Sequence, residues 1–178
     1  MFSCVTGYKL PSSFTFDSEQ FAAGLEKAKL KPVGPLEASR SGFISPFGED
    51  STVLHHVSAN CVLIVMGSQT RVLPASVVNS AVQARAKAIF TETGRKPGKK
   101  HRDQIKDEVL LEFMPRSLVR ESKLMAYIDV ETGRLIVNSI SDKAAELIIK
   151  QLRDAFGTFP VELIETEVSV TATLAAWL

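Results

Sequence analysis

The spacing of apolar positions changes character twice along the chain. Residues 2–10 form a short apolar-alternating run closed by Pro11, which predicts a strand. Phe21, Leu25 and Ala28 then recur at helical spacing behind a cap at Asp17 or Ser18. Pro32, Gly34 and Pro35 end that helix. "SGFISPFGED" predicts a short strand running into a turn at Pro46 and Gly48, and residues 53–57 predict another strand. "CVLIVMG", residues 61–67, is apolar on both faces, as a central strand is. Residues 71–73 are expected to pair back with it.

The rhythm becomes helical at Pro74, a residue suited to a helix N-terminus. Val78, Val82 and Ile89 recur among alanines over residues 75–90. Gly94, Pro97 and Gly98 interrupt, and residues 103–114 predict a second helix with Ile105, Val109 and Phe113 at i+4 steps. Pro115 stops it. Phe90 and Phe113 fit the apolar side of this hairpin.

Sheet patterns return in "KLMAYIDV" and "RLIVNSI", joined by Glu131-Thr132-Gly133, a hairpin signal. Ser141 is expected to cap a helix with Ala144, Leu147, Ile148 and Leu152 facing inward, and Gly157 ends it. Residues 161–164 and 168–174 predict closing strands. The expected fold is α+β. An antiparallel, strand-rich body of two βαββ-like halves, residues 1–74 and 116–178, is interrupted by a protruding basic helical hairpin, residues 75–115. The two halves show no convincing sequence repeat.

Composition adds little beyond an ordinary globular chain, with 178 residues, 45% hydrophobic and 23% charged. Cys4 and Cys61 lie far apart in apolar runs, which predicts buried free thiols in a reducing compartment. No apolar stretch reaches membrane-spanning length, and the N-terminus lacks the features of a signal peptide. A soluble, cytoplasmic protein is expected.

Charge changes the picture more. The net charge is only +1, yet residues 85–123 hold eleven of the 21 Lys and Arg residues against six Asp and Glu. That segment carries a surplus of five positive charges, and the remainder a deficit of four.

Catalytic signals are weaker. Asp103, Asp107 and Glu108 share the second helix of the hairpin, but they alternate with Lys and Arg as solvated ion pairs do. Asp129 and Glu131 precede a glycine turn, and turn chemistry accounts for them. His55 and His56 are adjacent in a strand, so they point to opposite faces and do not share a metal. His101 adds charge only at low pH. No phosphate-binding glycine loop or nucleophile elbow occurs. The expectation is no enzyme, no metal and no cofactor.

The basic patch remains. Arg95, Lys96, Lys99, Lys100 and Arg102 lie in or beside the Gly-Pro loop. Lys106 extends the patch by a turn, and Arg116 and Arg120 follow the second helix. Composition leaves two readings open, a solvated tip or a site for DNA or RNA. The scarcity of aromatics points to backbone contacts without sequence preference. A protein-interaction module using the apolar stripe, without DNA binding, is the alternative.

"KDEVLLEFMPRSLVR", residues 106–120, resembles a segment of the RdgC family of bacterial recombination-associated DNA-binding proteins. Further short matches occur in the same order. They are Tyr8-Lys9-Leu10 after Phe2, Gly42-Phe43 with Pro46-Phe47-Gly48, His56-Val57, Val72-Leu73-Pro74, Tyr127-Ile128-Asp129 and Leu174 with Trp177. The resemblance implies sequence-independent binding of DNA, mostly duplex, and restraint of RecA access in the nucleoid. It also implies homodimers, closed into a ring in the family, with the helical tip as one contact. By position it assigns Arg95, Lys96, Lys99 and Arg116 to the basic tip. It places Leu118 where an aromatic makes the tip-to-tip contact, so that contact is expected to be weaker. Pro97 and Gly98 replace helix-compatible residues, which predicts a looser tip. The family continues past the Trp177 motif into a base domain. This sequence is therefore expected to be a fragment or a short branch that cannot close the ring by that route. The exonuclease activity once attached to the family lacks a carboxylate cluster here.

Overall fold

The apolar run at residues 61–67 becomes part of the strand Cys61–Val72, which with Leu118–Asp129 is the longest among the described residues. The computed structural model describes residues 4–12, 14–164 and 175–177. The element order is β1 (Thr6–Lys9), α1 (Ser18–Lys27), β2 (Ser39–Ile44), β3 (His55–Ser58), β4 (Cys61–Val72), α2 (Ala75–Thr93), α3 (Lys99–Phe113), β5 (Leu118–Asp129), β6 (Arg134–Val137), α4 (Asp142–Phe156) and β7 (Glu162–Leu163). A single 3-10 turn, Met114–Arg116, joins α3 to β5. The strand order is β2-β4-β5-β6-β1-β7, with β3 also paired to β4. This is the antiparallel α+β architecture that the patterning predicts.

The chain divides into two compact units. One comprises residues 1–30, 42–67 and 123–178, and the other residues 31–41 and 68–122. Strands β2, β4 and β5 each contribute residues to both.

In the first unit, α1 and α4 cover a sheet whose core includes Phe43, Val62, Ile64, Ile128, Leu135 and Val137. The Asp17 carboxylate caps α1 by accepting from the N–H groups of Glu19 and Gln20. Phe21 and Leu25 of α1 are buried, and Phe21 stacks on Phe156 of α4 with centroids 4.9 Å apart. The buried stripe of α4 is Ala145, Ile148, Ile149, Leu152 and Ala155, turned slightly from the predicted one. Ala144 and Leu147 lie at its margin.

Gly42 shows why one short motif is so constrained. Leu30 N–H donates to the Phe43 carbonyl, and Phe43 N–H donates to the Ala28 carbonyl, both at 2.9 Å. The chain leaving α1 is thereby pressed against β2. A Cβ on Gly42 meets the Leu30 backbone at 2.6 Å, closer than any relaxed contact.

Three expectations are corrected. Residues 71 and 72 continue β4 instead of pairing back with it, because β4 runs unbroken to Val72 before Pro74 ends it. Cys4 is exposed and Cys61 is half-buried, so neither is a core thiol. Cys61 opens β4 at the tight connection from Ser58, where cover is incomplete. Helix α3 starts at Lys99, four residues earlier than predicted, because Gly98 serves as its N-cap with extended backbone. The predicted strand at residues 168–174, and Phe2 and Leu174 of the short motifs, lie outside the described residues.

Gly42→Ala should cost about 3 kcal/mol, since the obstructing atoms are backbone and cannot rotate away. Denaturant melts of the two proteins check this, and a midpoint within error of wild type contradicts it.

Candidate nucleic-acid interface

Helices α2 and α3 pack together in the second unit along an apolar seam. Val78, Ile105 and Val109 are buried there, with Leu73, Ala81, Val82, Ile89, Leu110 and Phe113 packed around them. The i+4 spacing of Ile105, Val109 and Phe113 places all three on that side of α3. Arg85 spans the two helices and pairs with Glu108 at 3.8 Å and with Glu112 in closer contact. Gly94 ends α2 in the left-handed conformation, φ 68°, where a side chain is disfavoured. Pro97 is buried in the loop that follows.

This packing sorts the eight predicted contact cations into two groups. Arg95 and Lys96 sit in the loop, Lys99, Lys100 and Arg102 fill the first turn of α3, and Lys106 follows one turn later. Lys99, Arg102 and Lys106 recur at i, i+3 and i+7, one stripe of the helix. Arg116 ends the 3-10 turn at the opposite end of α3, and Leu118 and Arg120 begin β5. At about 1.5 Å of rise per residue, the 15 residues of α3 set the two groups roughly 20 Å apart. The structure therefore joins the first six cations and separates Arg116, Arg120 and Leu118 from them.

All eight are exposed. Among the described residues none of their side chains makes a salt bridge or hydrogen bond. Arg85, by contrast, is neutralised within the helix pair. The first turn of α3 contains no acid, so its positive end is lined by more positive charge. Leu118 is 79% exposed.

Two residues that matter here were missed or misplaced by patterning. Arg71 donates from Nε to the Gly34 carbonyl at 3.1 Å, and from one terminal nitrogen to the carbonyls of Met114 at 3.0 Å and Ser117 at 3.4 Å. It pins the turn that presents Arg116. Its position at the end of an apolar strand is the only hint the sequence offers. Phe90 is 44% exposed and lies beside Lys87, Lys96 and Arg102 rather than in the seam, contrary to expectation. The seam takes Ile89 instead, one residue and about 100° earlier on the helix.

Of the carboxylates and histidines considered for catalysis, Glu108, Asp129, His55 and His56 have structural partners, whereas Asp103 and Asp107, expected in solvated ion pairs, make no salt bridge among the described residues. Asp129 accepts from the Thr132 hydroxyl at 2.6 Å and from the N–H groups of Glu131 and Thr132, each at 3.1 Å. The Thr132 hydroxyl, first among these donors, holds its carboxyl below the usual range. Asp129 thus fastens the β5–β6 turn. His55 packs edge-on against Phe21, and burial together with neighbouring His56 lowers its pKa. His56 packs on the other face against Phe47. Among the described residues no three His, Cys, Asp or Glu side chains converge as metal ligands. No helix among them is long and apolar enough to cross a membrane.

Comparison with known proteins decides the ancestry. The family model described as "Putative exonuclease, RdgC" matches residues 1–178. The chain belongs to the RdgC family. It is similar to the recombination-associated protein RdgC of Xylella fastidiosa strain 9a5c, at 37% identity over 99% of this chain and 58% of the relative. The protein of the same name from Xanthomonas oryzae pv. oryzae is 37% identical over the same shares. That of Xanthomonas campestris pv. campestris strain B100 is 36% identical. The chain thus spans 58% of the length of these RdgC relatives.

Proposed function

We propose that this RdgC-family chain binds DNA through the phosphate backbone, without sequence preference and without breaking bonds. The observation that carries this reading is the set of eight exposed cations with no partner among the described residues. Three of them crowd the first turn of α3, where the helix dipole opposes positive charge by about 0.3–1 kcal/mol each. An anion at that end relieves both the dipole and the mutual repulsion. The two cation groups, roughly 20 Å apart, offer a polyanion two separate points of attachment. The engagement of Asp129 in its turn supports a non-catalytic role. Occupying duplex in this way limits the access of RecA to DNA in the nucleoid.

Leu118, exposed on the strand after the 3-10 turn, is proposed as a contact between two copies of the chain. Light scattering should show self-association that weakens in Leu118→Ser. Equal masses for the two proteins at every concentration reject that contact.

Affinity for duplex should fall steeply with salt as counterions are released. Replacing Arg95, Lys96, Lys99 and Lys100 with Ala should reduce the slope of log affinity against log salt by roughly 3. Fluorescence anisotropy titrations measure both slopes. An unchanged slope rejects these four as the contact surface.

A further inference from the structure

The misplaced phenylalanine marks a second kind of contact. A cavity of about 390 Å3 opens between α2 and the loop leading into α3. Val82, Ala86, Phe90 and Pro97 line it with apolar surface, and Lys87, Lys96 and Arg102 line it with positive charge. Gln83 adds an amide that both donates and accepts hydrogen bonds. The volume lies in the range of small-molecule sites. No acidic side chain lines the cavity, so its field is uniformly positive.

We infer that this cleft holds an unpaired nucleobase of a single DNA strand, stacked on Phe90, with its flanking phosphates against Lys87, Lys96 and Arg102. The inference rests on the backbone-binding reading above and extends it from charge to base. A flat apolar ring beside three cations asks for a ligand that is both planar and anionic, and a nucleotide is both. A paired base hides its faces within the stack and cannot lie on Phe90, so the occupant is an unpaired one. Stacking reads no hydrogen-bond pattern, so it preserves the lack of sequence preference. The residues concerned lie on α2 as well as α3, so Lys87 joins the contact set that patterning drew only from Arg95 onward.

A pair of 12-nucleotide strands separates stacking from charge. One is oligothymidylate, and the other carries the same phosphates on abasic sugars. The intact chain should bind oligothymidylate more tightly by roughly 5- to 100-fold. Phe90→Ala should abolish that preference while leaving affinity for the abasic strand and for duplex unchanged. Phe90→Trp should retain it. Phe90 is exposed, so melting temperatures of both variants should match wild type and exclude a folding defect. A preference that survives Phe90→Ala, or no preference in the wild-type chain, overturns the stacking site while duplex binding stands. Failure to bind duplex, thymidylate and abasic strand alike overturns both this inference and the reading it rests on.

Discussion

The candidate interface depends on keeping like charges close together at one end of a helix. Exposed cations at contact distance repel by about 1 kcal/mol in water, and the α3 dipole adds about 0.3–1 kcal/mol for each charge in the first turn. The α2–α3 seam opposes this. Burying Val78, Ile105 and Val109 contributes about 1.5–3 kcal/mol apiece, and Arg85 ties Glu108 and Glu112 across the helices. The seam and the Arg85 pairs offset this repulsion, and the cations stay crowded, exposed and without a partner among the described residues. In that condition a polyanion gains more than it would from the same charges scattered over the surface.

Position along α3 gives the interface its reach. The loop and first turn offer six cations, and the 3-10 turn with the start of β5 offers two more, a helix length away. Arg71 fixes the farther group by holding the carbonyls of Met114 and Ser117. The nearer group borders a cleft lined in part by Phe90. Charge and an exposed aromatic ring thus lie side by side, as the proposed contacts with duplex and unpaired DNA require.

Strong periodicity made most of the fold legible. Phe21 and Leu25 in α1, Ile105 and Val109 in α3, and the Gly133 turn follow directly from spacing and turn chemistry. The failures have local causes. Residues 71 and 72 looked like a separate strand because polar residues at 68–71 interrupt the apolar run, yet β4 carries on through them. Lys99 and Lys100 looked like loop because Gly94, Pro97 and Gly98 interrupt the helical pattern, yet Gly98 serves as the N-cap and the helix starts there. Cys4 was read as buried from its apolar neighbours, and it is exposed. The cations were legible as a cluster with Arg116 and Arg120 beyond the second helix, but the distance between the two groups required the start of α3. Phe90 was assigned to the wrong side because it adjoins Ile89 in sequence, and a rotation of about 100° per residue decides between seam and cleft.

The account is tested most directly by lysine acetylation with and without duplex DNA, read by mass spectrometry. Binding should protect Lys96, Lys99, Lys100 and Lys106, while the equally exposed Lys9, Lys143 and Lys150 keep their reactivity. Uniform protection, or protection of the second set alone, would contradict a DNA surface built on α3.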